Sequence, residues 1–412
     1  MMSKGPLSNV RVLDMSRILA GPWAAQMLAD LGAEVIKIER PGKGDDSRQF
    51  GPPFLQDAQG QDTRESSFYI STNRNKKSIT CDIAKPEGQA LIRQLVGKCD
   101  VLLENYKVGD LKRYGLDYAS LREVNPRLIY CSLTGFGQTG PYAPRPGYDS
   151  IFQAMGGLMS ITGLPDEAPG GGPMKTGPSL ADILAGQYAA YAIQAALYAR
   201  DVNGAPGQHI DIALLDALIA STSHYASQYL VSGDIPVRRG TEGNGGMPSR
   251  MFRCVDGDIM IVAGNNEQYA RFCEVLGHPE LALDARFAEI PLRVVNRRAL
   301  GEVFEPLVAT WTVLDLLRAL DEAGVPAGPI NNLEQVFADP HVQERGMCVE
   351  SPHASSADGK VRMVANPVKF SATPIVDYKA PPTQGEHTDR ILGEWLGLDE
   401  TEIQALREKR VI

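Results

Sequence analysis

Asp182 stands at the start of a long uncharged run, Ile183–Ala199, which is rich in alanine and tyrosine. The N-terminus of a helix stabilises negative charge, and apolar packing partly desolvates a carboxylate. Such a carboxylate is a usable nucleophile toward an activated acyl group. Ser179 and Asp182 also fit the capping-box pattern, in which the acidic side chain only satisfies backbone donors. The residues alone leave both interpretations open.

Cationic and amide side chains cluster where strands of the predicted sheet end or begin. These residues are Arg40, the segment NRNKK at 73–77, Asn105, Lys107 and Arg113. Phosphate groups favour such donors, although each residue alone also fits an ordinary solvated surface. Glycines near Asp182 and in the loops at 170–173 and 243–246 would let backbone amides approach a reacting carbonyl.

Short apolar strands alternate with helices through the first half of the chain, which predicts βαβ units and a parallel sheet. The expected strands are 10–15, 34–40, 78–83, 101–105, 128–134 and 208–214. The expected helices are 21–33, one opened by Pro86, a short one after residue 116, 180–200 and one to about 231. Ligands of such sheets bind at the carboxyl ends of the strands. Residues 141–178 are rich in glycine and proline and are expected to form a loop.

The later part of the chain predicts a second, smaller α/β domain. A hairpin is expected from Arg250 to Gly264 with its turn at Asp256-Gly257, and helices are expected in 267–277, 296–324, 331–346 and 386–411. The predicted organisation is a large Rossmann-like domain from 1–225, the small domain at 226–330, and a return to the large domain over 331–412.

A nucleotide-binding fingerprint, G-x-G-x-x-G, occurs at Gly135–Gly140. It follows the fifth expected strand, and the proline-rich residues after it cannot open a helix. The first strand-to-helix turn holds a single glycine, Gly21. The motif therefore lacks the context that a nicotinamide-dependent dehydrogenase requires.

The composition excludes several classes of function. A net charge of −9 and a pI near 5.3 disfavour nucleic-acid binding, which requires a basic face. Scattered cysteines and histidines give no metal-site spacing and suggest reduced thiols in a cytoplasmic protein. The run 183–199 is short for a membrane span, and the N-terminus shows no signal-peptide pattern.

Several long segments carry residue combinations that are specific together: VLDMSRILAGPWAAQMLADLGAEVIKIERPGKGD, NRNKKSITCD, VLLENYKVGDLKRYGLDY, RPGYDSIFQAMGGLMSITG, KTGPSLADILAGQYA, GNNEQYARFCEVLG, AGVPAGPINN and GEHTDRILGEWLGL. They resemble the class III CoA-transferases, the formyl-CoA transferase and carnitine CoA-transferase group. The resemblance covers nearly the whole chain. The segments GNNEQYARFC (264–273) and GVPAGPINN (324–332) are especially similar to the succinyl-CoA:glutarate CoA-transferase branch.

The resemblance implies a set of site residues. The family's nucleophile falls on Asp182, and a mobile glycine-rich loop falls on Gly243–Gly246, with Gly245 and Gly246 at the reaction site. The loop reads GNGG here instead of an unbroken glycine run. The implied CoA contacts are Leu19, Ala20, Arg40, Thr72, Asn73, Arg74, Asn75, Asn105 and Arg113. Tyr148 is expected to line the acyl pocket or to fill the core.

The resemblance also implies a reaction without a metal or redox cofactor, with coenzyme A and acyl-CoA as substrates. Asp182 would form a mixed anhydride and then an enzyme-CoA thioester while CoA passes from an acyl-CoA to a free carboxylic acid. Chains of the family interlock as homodimers. Succinyl-CoA is the expected donor, and a dicarboxylate acceptor would require a second cation, for which Arg145 and Arg250 are candidates.

Two alternatives remain. The same fold houses α-methylacyl-CoA racemases, in which a histidine of a G-H-D segment shuttles protons. Here that segment is Gly147-Tyr148-Asp149, and a tyrosine with a pKa near 10 is a poor proton shuttle at neutral pH. The other alternative is a protein that binds CoA without catalysis.

Overall fold

The computed structural model describes residues 5–243 and 245–412. They form two compact units. Unit 1 contains the described residues up to Leu158, together with Lys175–Asp234 and Gln343–Ile412. Unit 2 contains Met159–Met174 and Ile235–Val342. The second stretch of unit 2 begins and ends later than the predicted 226–330, and the helix that reaches residue 232 belongs to unit 1. Unit 2 also includes Met159–Met174, which the prediction assigned to the large domain.

The strands in chain order are β1 (Arg11–Asp14), β2 (Glu34–Glu39), β3 (Phe54–Gln56), β4 (Asp62–Ser66), β5 (Lys76–Thr80), β6 (Val101–Glu104), β7 (Ile129–Thr134), β8 (His209–Ala213), β9 (Ser249–Arg253), β10 (Asp258–Val262), β11 (Ala327–Pro329), β12 (Cys348–Pro352) and β13 (Lys360–Val364).

The α-helices are α1 (Ala20–Asp30), α2 (Ser67–Thr72), α3 (Pro86–Val96), α4 (Tyr118–Leu121), α5 (Asp149–Met155), α6 (Leu158–Ile161), α7 (Leu180–Asp201), α8 (Leu214–Ser221), α9 (His224–Ser232), α10 (Asn266–Val275), α11 (Ile290–Val295), α12 (Arg297–Val308), α13 (Val313–Glu322), α14 (Leu333–Ala338), α15 (Pro340–Glu344), α16 (Thr388–Ile391) and α17 (Glu400–Glu408). Shorter 3₁₀ turns lie at Asp46–Gln49, Leu111–Tyr114 and Pro279–Leu283, and a π-helical turn lies at Leu392–Leu396.

Within the described part of unit 1, six parallel strands form one sheet in the order β5-β2-β1-β6-β7-β8. The register pairs Val12 with Val35 on one side and with Val101 on the other. The chain moves outward from β1 in one direction and then returns to build β6, β7 and β8 in the other. This reversal between β1 and β6 places the ligand crevice at the carboxyl ends of these two strands. The predicted parallel α/β sheet is confirmed.

Both faces of this sheet are covered, which is why its strands read as nearly continuous apolar runs. Helices α1, α5, α7 and α8 pack over one face around Val12 and Leu103. Helix α3 and the segment from α16 to α17 cover the other face around Leu13 and Leu102. Successive residues of one strand therefore face opposite cores.

Helices α1 and α7 approach closely at Gly186. A Cβ atom at this position would lie 2.6 Å from the Ala20 carbonyl oxygen and 3.0 Å from Cδ1 of Trp23. The missing side chain lets the start of α1 rest on the first half of α7. Small residues such as Ala185 and Ala189, both fully buried, extend this contact along α7.

Three local expectations differ from the structure. The segment 141–178 is not all loop, because it contains α5 and α6. The helix expected to run to about 231 is broken between α8 and α9, where Ser223 adopts a positive φ of 50°. The hairpins β3–β4 and β12–β13 carry weak alternation and were not anticipated.

Unit 2 holds an antiparallel sheet in the order β11-β10-β9. The predicted hairpin is confirmed, with Arg253 paired to Asp258 and the Cys254 N–H donating to the Gly257 carbonyl at 2.8 Å. Phe252, Phe272 and Phe304 form the centre of its apolar core. None of the helices described here, in either unit, is long and apolar enough to cross a membrane.

The close approach of α1 and α7 at Gly186 can be tested by adding a side chain there. Alanine favours a helix over glycine by about 1 kcal/mol, yet overpacking here should cost about 1–3 kcal/mol. Gly186→Ala is therefore expected to lower the free energy of unfolding, measured by chemical denaturation. The control Gly393→Ala adds a Cβ that meets only the Leu398 carbonyl oxygen at 3.7 Å. Stabilisation by Gly186→Ala would contradict the close approach.

Candidate active site

The loop after β1 forms the first wall of the crevice. Its residue Ile18 adopts φ 71°, a left-handed conformation that a β-branched residue rarely takes. The Ile18 N–H donates to Oδ1 of Asp45 at 3.1 Å. Leu19 and Ala20 follow at the start of α1 and are almost fully buried. The loop is thus held in a strained shape by its neighbours.

Asn105 fastens this loop from the end of β6. Its Oδ1 accepts from the Arg17 N–H at 2.9 Å, and its Nδ2 donates to the Arg17 carbonyl at 2.7 Å. Both polar ends of the amide are therefore engaged with backbone of the loop. Asn105 lies at the predicted place, and its side chain positions the loop.

Two buried ion pairs lie beneath the loop. Lys37 contacts Oδ2 of Asp45 at 2.7 Å and donates to the Ser16 carbonyl at 2.9 Å. Lys76 contacts Oδ2 of Asp14 at 2.9 Å. Burial alone would raise the pKa of Asp14, and the ammonium groups of Lys76 and Lys37 outweigh it, so that the pKa is lowered. Burial lowers the pKa of Lys76 to about 8, and the charge of Asp14 opposes that fall.

Asp182 lies in the first turn of α7, partly buried. Burial and the negative charge of Asp149 raise the pKa of Asp182 to about 7, while the backbone N–H of Ala20 donates to the carboxyl group and opposes the rise. The expectation that the helix N-terminus simply keeps this carboxylate ionised is therefore wrong. Its pKa lies near neutrality instead, because the desolvation and the neighbouring carboxylate dominate.

Asp149 caps the N-terminus of α7, in place of the capping box that the sequence suggested for Ser179 and Asp182. Its Oδ1 accepts from the Ala181 N–H at 2.8 Å, at the start of α7. Ser179 makes no side-chain capping hydrogen bond, so the capping-box alternative is wrong. Gln153 donates to Oδ2 of Asp149 at 2.6 Å and accepts from the Thr176 N–H at 2.9 Å. Tyr148 was predicted as a site residue from the sequence, whereas its neighbour Asp149 was not.

The side chains of Asn73, Arg74 and Asn75 form hydrogen bonds and ion pairs with other residues of unit 1. Thr72 and Asn73 are fully buried, and Asn73 donates to the Tyr69 carbonyl at 2.9 Å. Arg74 forms a forked ion pair with Asp30. Asn75, at φ 63°, donates to Oδ1 of Asp30 at 2.8 Å. The segment precedes β5 in the parallel sheet, so it lies at the amino ends of the strands and not at the carboxyl ends that border the crevice.

The expected cations divide into two groups. Arg74 and Lys76 are buried in ion pairs, and Lys77 pairs with Glu34 at 2.5 Å, so these cations are balanced inside the fold. Arg40 is exposed at the end of β2, and its side chain makes no ion pair within the described residues. Arg113 is also exposed, at 65% of its side chain, beside Asp110.

The remaining expected site residues are Tyr148, Gly245 and Gly246. Tyr148 is 74% exposed and precedes α5. Gly245 and Gly246 belong to unit 2, where a Cβ on Gly246 would lie 2.0 Å from the Gly264 carbonyl oxygen. The fully buried Arg293 donates to the Met247 carbonyl at 2.7 Å and supports this loop. Asn244 of the expected loop lies outside the described residues.

Comparisons with known proteins agree with this architecture. A family model described as CoA-transferase family III matches residues 7–388. The succinate–glutarate CoA-transferase of Agrobacterium fabrum (strain C58) is 46% identical over 399 residues, covering 97% of this chain and 98% of that protein. The human succinyl-CoA:glutarate CoA-transferase is 41% identical over 412 residues, covering 99% of this chain and 90% of that protein.

A solved structure agrees as well. The crystal structure of a CaiB/BaiF family protein from Brucella suis matches with a TM-score of 0.85 at 43% identity, covering 95% of this chain and 100% of that one. The resemblance found in the sequence is thereby confirmed. The protein is an enzyme, and its chain belongs to CoA-transferase family III.

Proposed function

We propose that this CoA-transferase moves CoA between dicarboxylic acids, with succinyl-CoA as donor and glutarate or a similar diacid as acceptor. The names of the Agrobacterium and human relatives support this substrate pair. The observation that carries the chemistry is the partly buried Asp182 carboxyl group, which accepts from the Ala20 N–H and has a pKa of about 7. A carboxylate of this basicity is a better nucleophile than an ordinary aspartate.

Asp182 acts as the nucleophile in this proposal. Its carboxylate oxygen attacks the thioester carbonyl carbon, the C–S bond breaks, and a mixed anhydride and CoA thiolate result. The thiolate then attacks the aspartyl carbonyl, releasing the donor acid and leaving an aspartyl-CoA thioester. The acceptor carboxylate attacks the carbonyl carbon of that thioester, the C–S bond breaks, and a second anhydride and CoA thiolate result. The returning thiolate attacks its acyl carbonyl, which gives the new acyl-CoA and free Asp182.

The Ala20 N–H supports these steps because its interaction with the Asp182 carboxyl group favours negative charge there, and negative charge develops on that group when the thiolate attacks. Asp149 fixes the first turn of α7 from which Asp182 projects. Its charge also disfavours the Asp182 carboxylate. Converting the charged Asp182 carboxylate into a neutral anhydride removes this repulsion. Anhydride formation is therefore more favourable at Asp182 than at an exposed aspartate.

CoA is proposed to lie along the carboxyl ends of β1, β2 and β6. Leu19 and Ala20 would contact the thiol-bearing arm, and the exposed guanidinium groups of Arg40 and Arg113 would bind phosphates. Asn105 would shape the wall from within, whereas the segment from Thr72 to Asn75 would support the sheet from the amino end of β5. We assign Gly245 and Gly246 to a lid that keeps water from the anhydride, and Tyr148 to the acyl pocket.

An interlocked homodimer is part of the proposal. Helix α7 leaves aromatic and apolar side chains in solvent, including Tyr191 at 70% and Tyr198 at 61% exposure. A helix that is apolar on nearly every side usually packs against neighbours on every side. A second copy of the chain would cover this face. A solution mass of twice 44.7 kDa is expected for the dimer.

Covalent trapping tests the role of Asp182. The wild-type protein, incubated with succinyl-CoA and then with hydroxylamine, should carry a modification within the peptide containing residues 175–200. Asp182→Asn should remove both the modification and glutarate-dependent transfer, by a factor of about 10³ or more. The matched control Asp216→Asn changes an exposed aspartate in the first turn of α8 and should leave both intact.

Oxygen labelling adds an outcome that would contradict the mechanism. With ¹⁸O-glutarate as acceptor, label should enter the Asp182 carboxyl group during turnover. Turnover without such label excludes the anhydride. Exchange of an α-hydrogen of a 2-methylacyl-CoA without acceptor acid would instead indicate an isomerase.

The pH dependence follows from the raised pKa of Asp182. Because only the carboxylate attacks, kcat/KM for succinyl-CoA should rise with pH and level off above about 7. Asp149→Asn removes a like charge and keeps a capping side chain, so the rise should move to lower pH. A pH–rate series on both proteins and on Asp216→Asn measures this. An unmoved profile in Asp149→Asn would rule out the charge coupling.

A further inference from the structure

Unit 2 contains a cavity of about 620 Å³ that carries three arginines in its lining: Arg239, Arg250 and Arg297. Apolar side chains form other parts of its wall, namely Leu164, Pro165, Val237 and Met251. The cavity thus combines fixed cations with apolar surface. That combination differs from an ordinary solvated arginine patch, in which the guanidinium groups point into water.

The charges of this arginine cavity are only partly balanced. Glu242 is the carboxylate in the lining, and its oxygens lie 3.4 Å from Arg250 and 3.7 Å from Arg297. These separations leave guanidinium N–H groups free for shorter hydrogen bonds to another oxyanion. Arg239 forms no ion pair in the part of the chain described. Burial and the charge of Arg239 lower the pKa of Arg297, as expected for cations held close together.

Arg250 is held in place by the fold. A Cβ at Gly301 of α12 would lie 2.2 Å from Nη1 of Arg250, so the missing side chain makes room for the guanidinium. Nη2 donates to Glu305 at 2.8 Å, and the group lies 5.4 Å from the centre of the Phe252 ring. Nε is buried, with no hydrogen-bond partner among residues 5–243 and 245–412. The guanidinium group is therefore preorganised by its neighbours.

We infer that the arginine cavity binds a short aliphatic dicarboxylate. Guanidinium forks match carboxylates in shape and charge. The apolar walls favour a ligand with methylene groups between its charges, which inorganic phosphate lacks. The choice of a diacid rests on the proposed transfer between dicarboxylic acids, whereas the cavity and its charges stand without it.

Binding measurements on the full-length protein test this inference directly. Asp182→Asn is titrated with glutarate by calorimetry without CoA, so that no reaction takes place. Glutarate should bind at least about tenfold more tightly than pentanoate, which has one carboxylate on the same chain length. Inorganic phosphate should bind more weakly than glutarate. Equal binding of glutarate with either probe overturns the inference.

Variants locate the binding. Arg250→Gln and Arg297→Gln, each added to Asp182→Asn, should weaken glutarate binding about tenfold or more. Arg253→Gln is the matched control on β9, because Arg253 is 71% exposed and pairs with Asp258 outside the lining. Gly301→Ala displaces the Arg250 guanidinium while keeping its charge, and should also weaken binding. Thermal unfolding verifies that each variant is folded.

The outcomes separate this inference from the proposed function. Equal glutarate binding in Arg250→Gln, Arg297→Gln and Arg253→Gln overturns the arginine cavity as the site, even when the wild-type enzyme transfers CoA. Tight glutarate binding that these arginine changes abolish supports the cavity, even when trapping at Asp182 fails.

Discussion

Buried charge beneath the β1 loop is the constraint on which the rest of unit 1 depends. The pairs Lys37–Asp45 and Lys76–Asp14 lie where water cannot solvate them. Taking ions out of water costs several kcal/mol each unless their partners are close and well oriented. These pairs therefore tolerate little movement. Asp45 also accepts from the N–H of Ile18, so the same network fixes the loop in its left-handed turn.

The position of Asp182 follows from that loop through backbone contacts. The loop sets the start of α1, where the Ala20 N–H meets the Asp182 carboxyl group. Gly186 lets α7 approach α1 closely enough for this contact. Asp149 accepts a hydrogen bond from the N–H of Ala181 at the beginning of α7. Gly186, the capping carboxylate of Asp149 and the strained turn at Ile18 together position the Asp182 carboxyl group. The near-neutral pKa of Asp182 is a property of this packing more than of the aspartate itself.

Much of this could be predicted from the sequence, because the relevant signals are local. Apolar runs located the strands of the parallel sheet, the long uncharged run located α7, and the joint motifs indicated the family. The partners of Arg74 and Lys76 could not be predicted, since Asp30 and Asp14 are far away in sequence. The role of Asp149 was missed for the same reason: it caps a helix that starts some thirty residues later.

Unit 1 is built from three separate stretches of chain, and the last of them, Gln343–Ile412, covers one face of the sheet. Trp395 and Ile403 lie in that core, and the Val411 carbonyl accepts from the Asp82 N–H at 2.7 Å. During synthesis on the ribosome, the sequence of unit 2 is complete while this apolar face is still bare. Nascent chains therefore expose this apolar face until Gln343–Ile412 has been synthesised, and the exposed face favours association between unfinished chains.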